Sequence, residues 1–435
     1  MKSVLIIGAG ACGLAAARQL VGEGIHVTIL EGRDRIGGRI CTLTDSEFTK
    51  PIEAGAEFIH GDLPVTLSLL KEYSIPYNQV EGTFWQTKTG DVSEENNFIR
   101  EDERTLHKLL SELTHDMTVE QFLTSYFSED KYDALRSSVR GFVQGYDAAN
   151  PSRASVLTFR DEWSNDYETQ FRIPDGYGKL MDTLQKDCEA HSCKIHLSSV
   201  VKKIQWKNNE VKVITDDGKI FTASICIVTV PIGILVSAPG ATAGMTFTPA
   251  IEEKLNIASM LGYGGVIKII LYFKRTFWKD KKIQLKAGQE LEQLGFIFSN
   301  AVIPTWWTQF PEDIPQLTGW IGGPAAEKAS NKNSEEIIQD AIQSLAAIFQ
   351  LTESDVKDEL LAHKIFDWVK DPFSLGAYSY AVVNNSKLKE EMREPIADTL
   401  FFAGEGYHIG GDTGTVEAAL GDGFRVARDV LILRK

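Results

Sequence analysis

Short, uniformly apolar runs alternate along the chain with longer stretches of helical spacing. Residues 4–7 are apolar at every position, as a strand buried on both faces requires. They enter Gly8-Ala-Gly10-Ala-Cys-Gly13 and then an Ala/Leu-rich helix over 14–20, closed by Gly22 and Gly24. Residues 26–30 alternate as a second strand and end at Glu31. From about 94 to 127 the pattern turns helical and polar, with Leu106, Leu109, Leu110 and Leu113 at helical spacing and Thr118/Gln121 spaced as a capping box. Strand patterns return at 194–196, 200–204 and 211–215, with Asp217-Gly218 as a hairpin turn, and again at 224–230. Residues 266–273 read as a strand interrupted by one charge, Lys268. An amphipathic helix over 335–349, a buried strand over 400–403 and a helix over 415–433 complete the reading. Signals of one kind occur at both ends and in the middle of the chain, which predicts interleaved rather than serial domains.

The remaining bulk properties narrow the class. The 435 residues correspond to two or three domains at about 150 residues each. The 43% hydrophobic content is that of an ordinary globular chain. A net charge of −15 leaves no basic face for nucleic acid; it suits solubility and tolerates cationic small molecules. The five cysteines are scattered and odd in number, which speaks against a disulfide framework. Cys188 and Cys193 flank His191, but no second pair stands near enough in sequence for a zinc site. No apolar run reaches the ~18 residues of a membrane span, none follows Leu433 as an anchor, and a cytoplasmic location without membrane attachment is expected.

The first glycine cluster carries chemistry because of where it sits. It follows a strand, opens a helix, and precedes Glu31 by eighteen residues counted from Gly13. Gly8 permits the tight turn, Gly10 admits a pyrophosphate to the backbone, and Gly13 lets helix and strand pack closely. The helix N-terminus offers free N–H groups to phosphate, and Glu31 suits ribose hydroxyls. A second element follows at once, Gly32-Arg33-Asp-Arg-Ile-Gly37-Gly38-Arg39. Arg33, Gly38 and Arg39 are read as cofactor-directed, since a guanidinium matches pyrophosphate geometry. Two phosphate-directed elements in succession favour extended FAD over NAD.

In these motifs and in those that follow, the chain resembles the flavin-containing amine oxidases, the family of monoamine oxidases, polyamine oxidases and lysine-specific histone demethylases. The segments are GAGACGLAAARQL, LEGRDRIGGR, IEAGAEFIHG at 52–61, IPDGYGKL at 173–180, IVTVPIGIL at 227–235, GYGGVIKIILYFKRTFW at 262–278, DWVKDPFSLGAYSY at 367–380 and LFFAGEGYHIGGDTGTVEAALGDGFRVA at 400–427. The closest motif match is to polyamine-oxidase-like members. The resemblance implies an α/β fold: a Rossmann-like FAD-binding domain over 1–80, 170–258 and 370–435, interleaved with an α+β substrate-binding domain over 81–169 and 259–369. It places Gly55, Ala56, Glu57 and Phe58 under the flavin, Val201 at the adenine, Trp368 beside the flavin, and Glu405 near the ribityl and phosphate groups. Thr415 and Val416 fall at the start of the last helix, whose N-terminus would face reduced flavin.

The resemblance also assigns chemistry. Lys268 matches the lysine that holds a water at flavin N5 and assists reoxidation; read from the strand pattern alone, it has a task or reaches solvent. Tyr378 matches one aromatic wall beside the substrate amine. Thr415 stands where monoamine oxidases have the second tyrosine, and Ala377 where they have the flavin-linking cysteine, so FAD is expected to be noncovalent. His60 matches an active-site histidine of animal polyamine oxidases and is equally compatible with a structural place. The implied reaction is hydride transfer from the amine α-carbon to flavin, imine hydrolysis, and reoxidation by O2 to hydrogen peroxide, in a monomer or homodimer acting on a mono- or polyamine. Asp161, Glu162, Asp166 and Glu168 form an acidic stretch, either a polyamine subsite or a solvated loop. The alternatives are a related flavin enzyme acting on a non-amine and a non-catalytic FAD-binding protein.

Overall fold

The computed structural model describes residues 3–88, 91–94, 99, 102–164, 169–280 and 291–433. The fold is mixed α/β. Its organising element is a five-stranded, all-parallel sheet in the order Lys194–His196, His26–Leu30, Ser3–Ile7, Ile225–Val228, Leu400–Phe402. The period-two alternation of strand side chains divides these residues between two cores. Val4, Ile6, Val27, Ile29, Ile225, Ile227 and Phe401 face the helices Ala11–Gly22, Gly178–Ala190 and Val416–Ile432. Leu5, Ile7, Leu30, Cys226, Val228, Leu400 and Phe402 face a second layer. That layer contains the four-stranded sheet Ile220–Ala223, Glu210–Thr215, Val201–Lys207, Thr246–Thr248. Its first two strands are joined by a turn in which Gly218 takes φ +79°, open to glycine at no steric cost.

The largest sheet has seven strands in the order Leu360–Asp367, Val266–Phe273, Gln316–Gly322, Thr305–Trp307, Leu294–Ser299, Thr83–Lys88, Asp91–Glu94. Val266–Phe273 lies between two antiparallel neighbours and is buried along its whole length. Ile267, Ile269, Leu271 and Phe273 pack towards the helix Ser334–Phe349. Val266, Lys268, Ile270 and Tyr272 necessarily point the other way, towards 41–58. The register of one strand thus decides that Lys268 enters the molecule's interior.

The helical region expected over about 94–127 begins later than the sequence pattern suggests. The strand Asp91–Glu94 opens it, followed by the helix Glu103–Glu112, a break, and the helix Val119–Tyr126. Leu113 is extended (ψ 126°) and ends the first helix, and Thr118 starts the next with the capping box expected. Thr118 Oγ1 accepts from Gln121 N at 3.1 Å while Gln121 Oε1 accepts from Thr118 N at 3.0 Å. With Asp133–Tyr146 and Val156–Ser164 these helices share one apolar core, which Tyr380 and Val382 also enter.

Candidate active site

At the first strand–helix junction the three glycines do different things. Gly8 has φ +107°, which an L side chain rarely adopts. A Cβ on Gly13 would lie 2.0 Å from the Gly8 carbonyl oxygen, so Gly13 permits the close helix–strand contact. A Cβ on Gly10 would meet nothing nearer than the Gly37 oxygen at 3.9 Å. Gly10 is also the N-cap of the helix Ala11–Gly22 and gives it no side-chain cap. The helix therefore presents its first N–H groups uncapped to the adjacent cavity. Glu31 ends the second strand, buried, with Oε2 accepting from Ala9 N at 2.7 Å and Oε1 from Arg33 N at 2.9 Å.

The second element is braced from the far end of the chain. Arg33 pairs with Asp371, donates to Ser374 Oγ at 3.1 Å and lies over the rings of Phe373 and Trp368. Arg39 pairs with the buried Glu405 at 2.7 Å and also donates to the Ala377 carbonyl. Glu405 additionally accepts from the Ser379 hydroxyl, so its carboxylate is engaged by the protein rather than free. Trp368 donates to the Ala54 carbonyl at 2.9 Å. Thr415 caps the last helix, its Oγ1 accepting from Ala418 N at 3.1 Å. The DGYG turn is held by Glu53, which accepts from Thr42 and from Tyr177 N. Burial pushes the Glu53 carboxyl up to about 7, against those hydrogen bonds and the charge of Lys268.

All of these surfaces open on one cavity of about 1660 Å³. That exceeds the ~300–1,000 Å³ of an ordinary small-ligand pocket and leaves room for a large cofactor with a substrate. Gly8, Gly10, Glu31, Arg33, Gly38, Arg39, Val201, Glu405, Thr415 and Val416 line its one part; Gly55, Ala56, Glu57, Phe58, His60, Lys268, Trp368 and Tyr378 line the rest. Of the residues expected to hold the cofactor or act on the amine at the flavin, Gly13 alone is off the wall, in keeping with its packing role.

Lys268 is 1% exposed. Its Nζ lies 2.7 Å from Glu57 Oε2 and 3.2 Å from the Gly55 carbonyl oxygen, beneath the Trp307 ring. The other Glu57 oxygen accepts from Trp307 Nε1 at 3.1 Å and Gln309 Nε2 at 3.3 Å and pairs with Arg172 at 3.0 Å. Burial opposes the Glu57 charge, but Lys268 and Arg172, with the hydrogen bonds from Lys268 and Trp307, outweigh it and hold the carboxyl down at about 2. Tyr378 stacks on Trp320 with centroids 6.3 Å apart, and its hydroxyl donates to the Tyr146 carbonyl at 2.6 Å. His60 lies near Phe58 and Tyr146; burial pushes its imidazole down to about 4, so the ring is neutral at physiological pH.

Trp307, Trp320, Tyr146 and Asp147 belong to this wall, and Arg172 stands behind it on Glu57; none of the five carries a local sequence signal for the site except the Trp pair. The Trp306-Trp307 pair carried a usable signal: on a strand, consecutive aromatics face opposite sides, Trp306 into the core and Trp307 into the cavity. Within the acidic stretch, Asp161 is exposed and pairs with Arg160, whereas Glu162 lines the cavity. Burial and the neighbouring Glu162 drive Asp147 well above the usual carboxylate range, and burial pushes Glu162 to about 7. Asp166 and Glu168 lie outside the described residues.

The profile of the family described as "Flavin containing amine oxidoreductase" matches residues 11–431. The chain belongs to the flavin-containing amine oxidoreductase family. Lysine-specific histone demethylase 1 homolog 3 of Arabidopsis thaliana is 26% identical over 93% of the chain, and lysine-specific histone demethylase 2 of Homo sapiens 29% identical over 93%. The chain spans 28% and 50% of those two proteins, but 87% of polyamine oxidase 2 of Arabidopsis thaliana, which is 27% identical over 98% of the chain. Among solved structures, putrescine oxidase bound to putrescine superposes with a TM-score of 0.80 at 19% identity, covering 99% of both chains. Cyclohexylamine oxidase of Brevibacterium oxydans gives 0.79 at 17% identity over 100% of both. These likenesses establish a Rossmann-like α/β fold for this family member. No helix among the described residues is long and apolar enough to cross a membrane.

Proposed function

We propose that this family member is an amine oxidase that binds FAD noncovalently and oxidises a diamine or polyamine, with O2 as electron acceptor. The observation that carries the reading is the continuity of one cavity from the uncapped helix at Gly10 to the aromatic chamber around Lys268 and Tyr378. The glycine loop, Glu31, Arg39 and the Thr415 helix terminus would hold the dinucleotide, and the seven-stranded sheet with the helices over 103–164 would form the substrate chamber. Ala377, by its resemblance position, offers no thiol for a covalent link. When bound, FAD supplies the two-electron acceptor for hydride from the amine α-carbon and passes the electrons to O2, giving hydrogen peroxide.

The chain's own residues prepare the amine. An alkylammonium with a pKa near ~10 must lose its proton before the α-carbon yields hydride, at a cost of about 4 kcal/mol at neutral pH. Tyr378, Trp320, Trp307 and Phe58 make a low-dielectric chamber that disfavours the ammonium and so offsets that cost. The neutral His60 adds no competing charge. Asp147 and Glu162, sharing a proton, can accept a second ammonium, which supports a substrate with two cationic groups over a monoamine. Hydride acceptance and amine class are tested together by anaerobic mixing of the FAD-loaded protein with putrescine, longer polyamines and benzylamine. Bleaching of the flavin by the di- or polyamines, with peroxide on aeration, is expected. An absence of bleaching by every amine would overturn the reading and leave a non-amine substrate or a non-catalytic flavoprotein.

A further inference from the structure

Lys268 does not stand alone against the cavity: the segment expected to pass under the flavin supplies its counterion. In Gly55-Ala-Glu57-Phe58 the backbone carbonyl of Gly55 and the carboxylate of Glu57 both reach Lys268 Nζ, at 3.2 Å and 2.7 Å. The Glu57 side chain is 7% exposed. Its two oxygens divide the work, one bound to Lys268 and the other to Arg172, Trp307 and Gln309. These donors come from three strands remote in sequence and from the loop after one of them, so the carboxylate cannot turn away from Lys268 without abandoning Arg172 as well. Among the described residues Glu57 is the one carboxylate in ion-pair contact with Lys268. The other nearby acid, Glu53, is turned to Thr42 and the Tyr177 amide. Two cations and one carboxylate leave a residual charge of +1 in this cluster, at and just behind the cavity wall.

We propose that Glu57 is a positioning residue that fixes the Lys268 ammonium and sets the residual charge of the cluster to +1, and through that charge the reduction potential of a flavin bound there. The proposal rests on FAD occupying this cavity, as argued above. The physical ground is that reduction adds negative charge to the flavin ring, and a fixed cation nearby favours the reduced form. The packing of Phe58, Phe296 and Trp307 around the cluster keeps water from screening it. A Glu57 with only a packing role would, when replaced, change stability without ordering the potentials by charge.

The test compares wild type, Glu57→Gln, Lys268→Met and the double variant, all FAD-loaded and at one pH, by equilibrium with redox dyes. The cluster charge becomes +2 in E57Q, 0 in K268M and +1 again in the double variant. The expected order is a potential raised in E57Q, lowered in K268M and returned close to wild type in the double. An E57Q potential equal to wild type, or a double variant that stays with K268M, would overturn the proposal. Should E57Q fail to take up FAD because two buried cations lose their partner, the double variant against K268M decides: a higher potential in the double supports the proposal, equality defeats it. Failure of the wild-type protein to bind FAD would overturn the functional reading, and this proposal with it.

Discussion

The same substitution at two glycines three residues apart should separate folding from cofactor binding. At Gly10 the backbone is extended (φ −78°, ψ −177°), open to any residue, and an alanine Cβ would find its nearest neighbour at 3.9 Å. Gly10→Ala therefore costs no clash and removes freedom from the unfolded chain, a gain of about 0.4–1 kcal/mol. The new methyl nevertheless stands at the cavity wall, where a pyrophosphate must approach the helix N-terminus. Losing one charge-assisted N–H···phosphate bond costs about 1.5–3 kcal/mol, or about 10- to 150-fold in Kd. Gly13→Ala reverses the pattern. Its Cβ would lie 2.0 Å from the Gly8 oxygen and 3.1 Å from Thr229 Oγ1, so backbone must move, with a loss of about 1–3 kcal/mol or more. The assay is flavin fluorescence titration of the FAD-free proteins beside their urea unfolding curves. Gly10→Ala should unfold at a urea concentration equal to or slightly above that of wild type, by the gain of about 0.4–1 kcal/mol, and bind FAD at least tenfold more weakly. A folded Gly10→Ala protein with wild-type affinity would refute the placement of the pyrophosphate.

Two further outcomes follow from the site. Glu162 is pushed up to about 7 by burial beside Asp147; as pH rises through that value the pair gains negative charge, so KM for a diamine should fall more steeply across pH 6–8 than KM for a monoamine, which falls only with loss of the reacting amine's own proton. Glu162→Gln should abolish that difference, and a diamine KM unmoved by the substitution would exclude the pair as an ammonium subsite. Thr415→Ala removes the cap on Ala418 N and should cost about 1 kcal/mol in urea unfolding of the FAD-free protein, with Thr415→Ser retaining most of it.

Local chemistry was legible in the sequence where neighbours along the chain do the work. The strand–glycine–helix opening, the Thr118 capping box and the placing of Lys268 within an apolar strand all depend on residues a few positions apart; whether that lysine points inward is left open by the pattern and is decided by sheet register. The partners of Lys268 were not legible, because residues 57, 172, 268 and 307 meet only through sheet register and packing. Glu57 is expected from the resemblance to lie under the flavin, and it lines the cavity; its carboxylate is also the centre of an ion-paired cluster that nothing local announces. The acidic stretch misled for a periodic reason. Consecutive helical residues point about 100° apart, so Asp161 goes to solvent and Glu162 to the cavity, while the true neighbour of Glu162, Asp147, sits at the end of another helix. Thr83–Lys88 carries no clean alternation: Trp85 and the buried Thr87 share one face and Phe84 and Gln86 line the cavity from the other, so polar and apolar residues are mixed on both.

The parallel sheet has a consequence for how the chain is born. Its central strand, Ser3–Ile7, leaves the ribosome some 220 residues before its neighbour Ile225–Val228 and nearly 400 before the edge strand Leu400–Phe402. The closing helix is later still; it lays Gly423 against the Cys12 carbonyl, behind the glycine loop. At about 5–20 residues per second, some 400 residues of delay is roughly 20–80 seconds during which the first helix lacks its backing. The nascent flavin cradle must therefore wait on the helix Val416–Ile432, and chains ended before it should aggregate during synthesis rather than yield shortened proteins that bind FAD weakly.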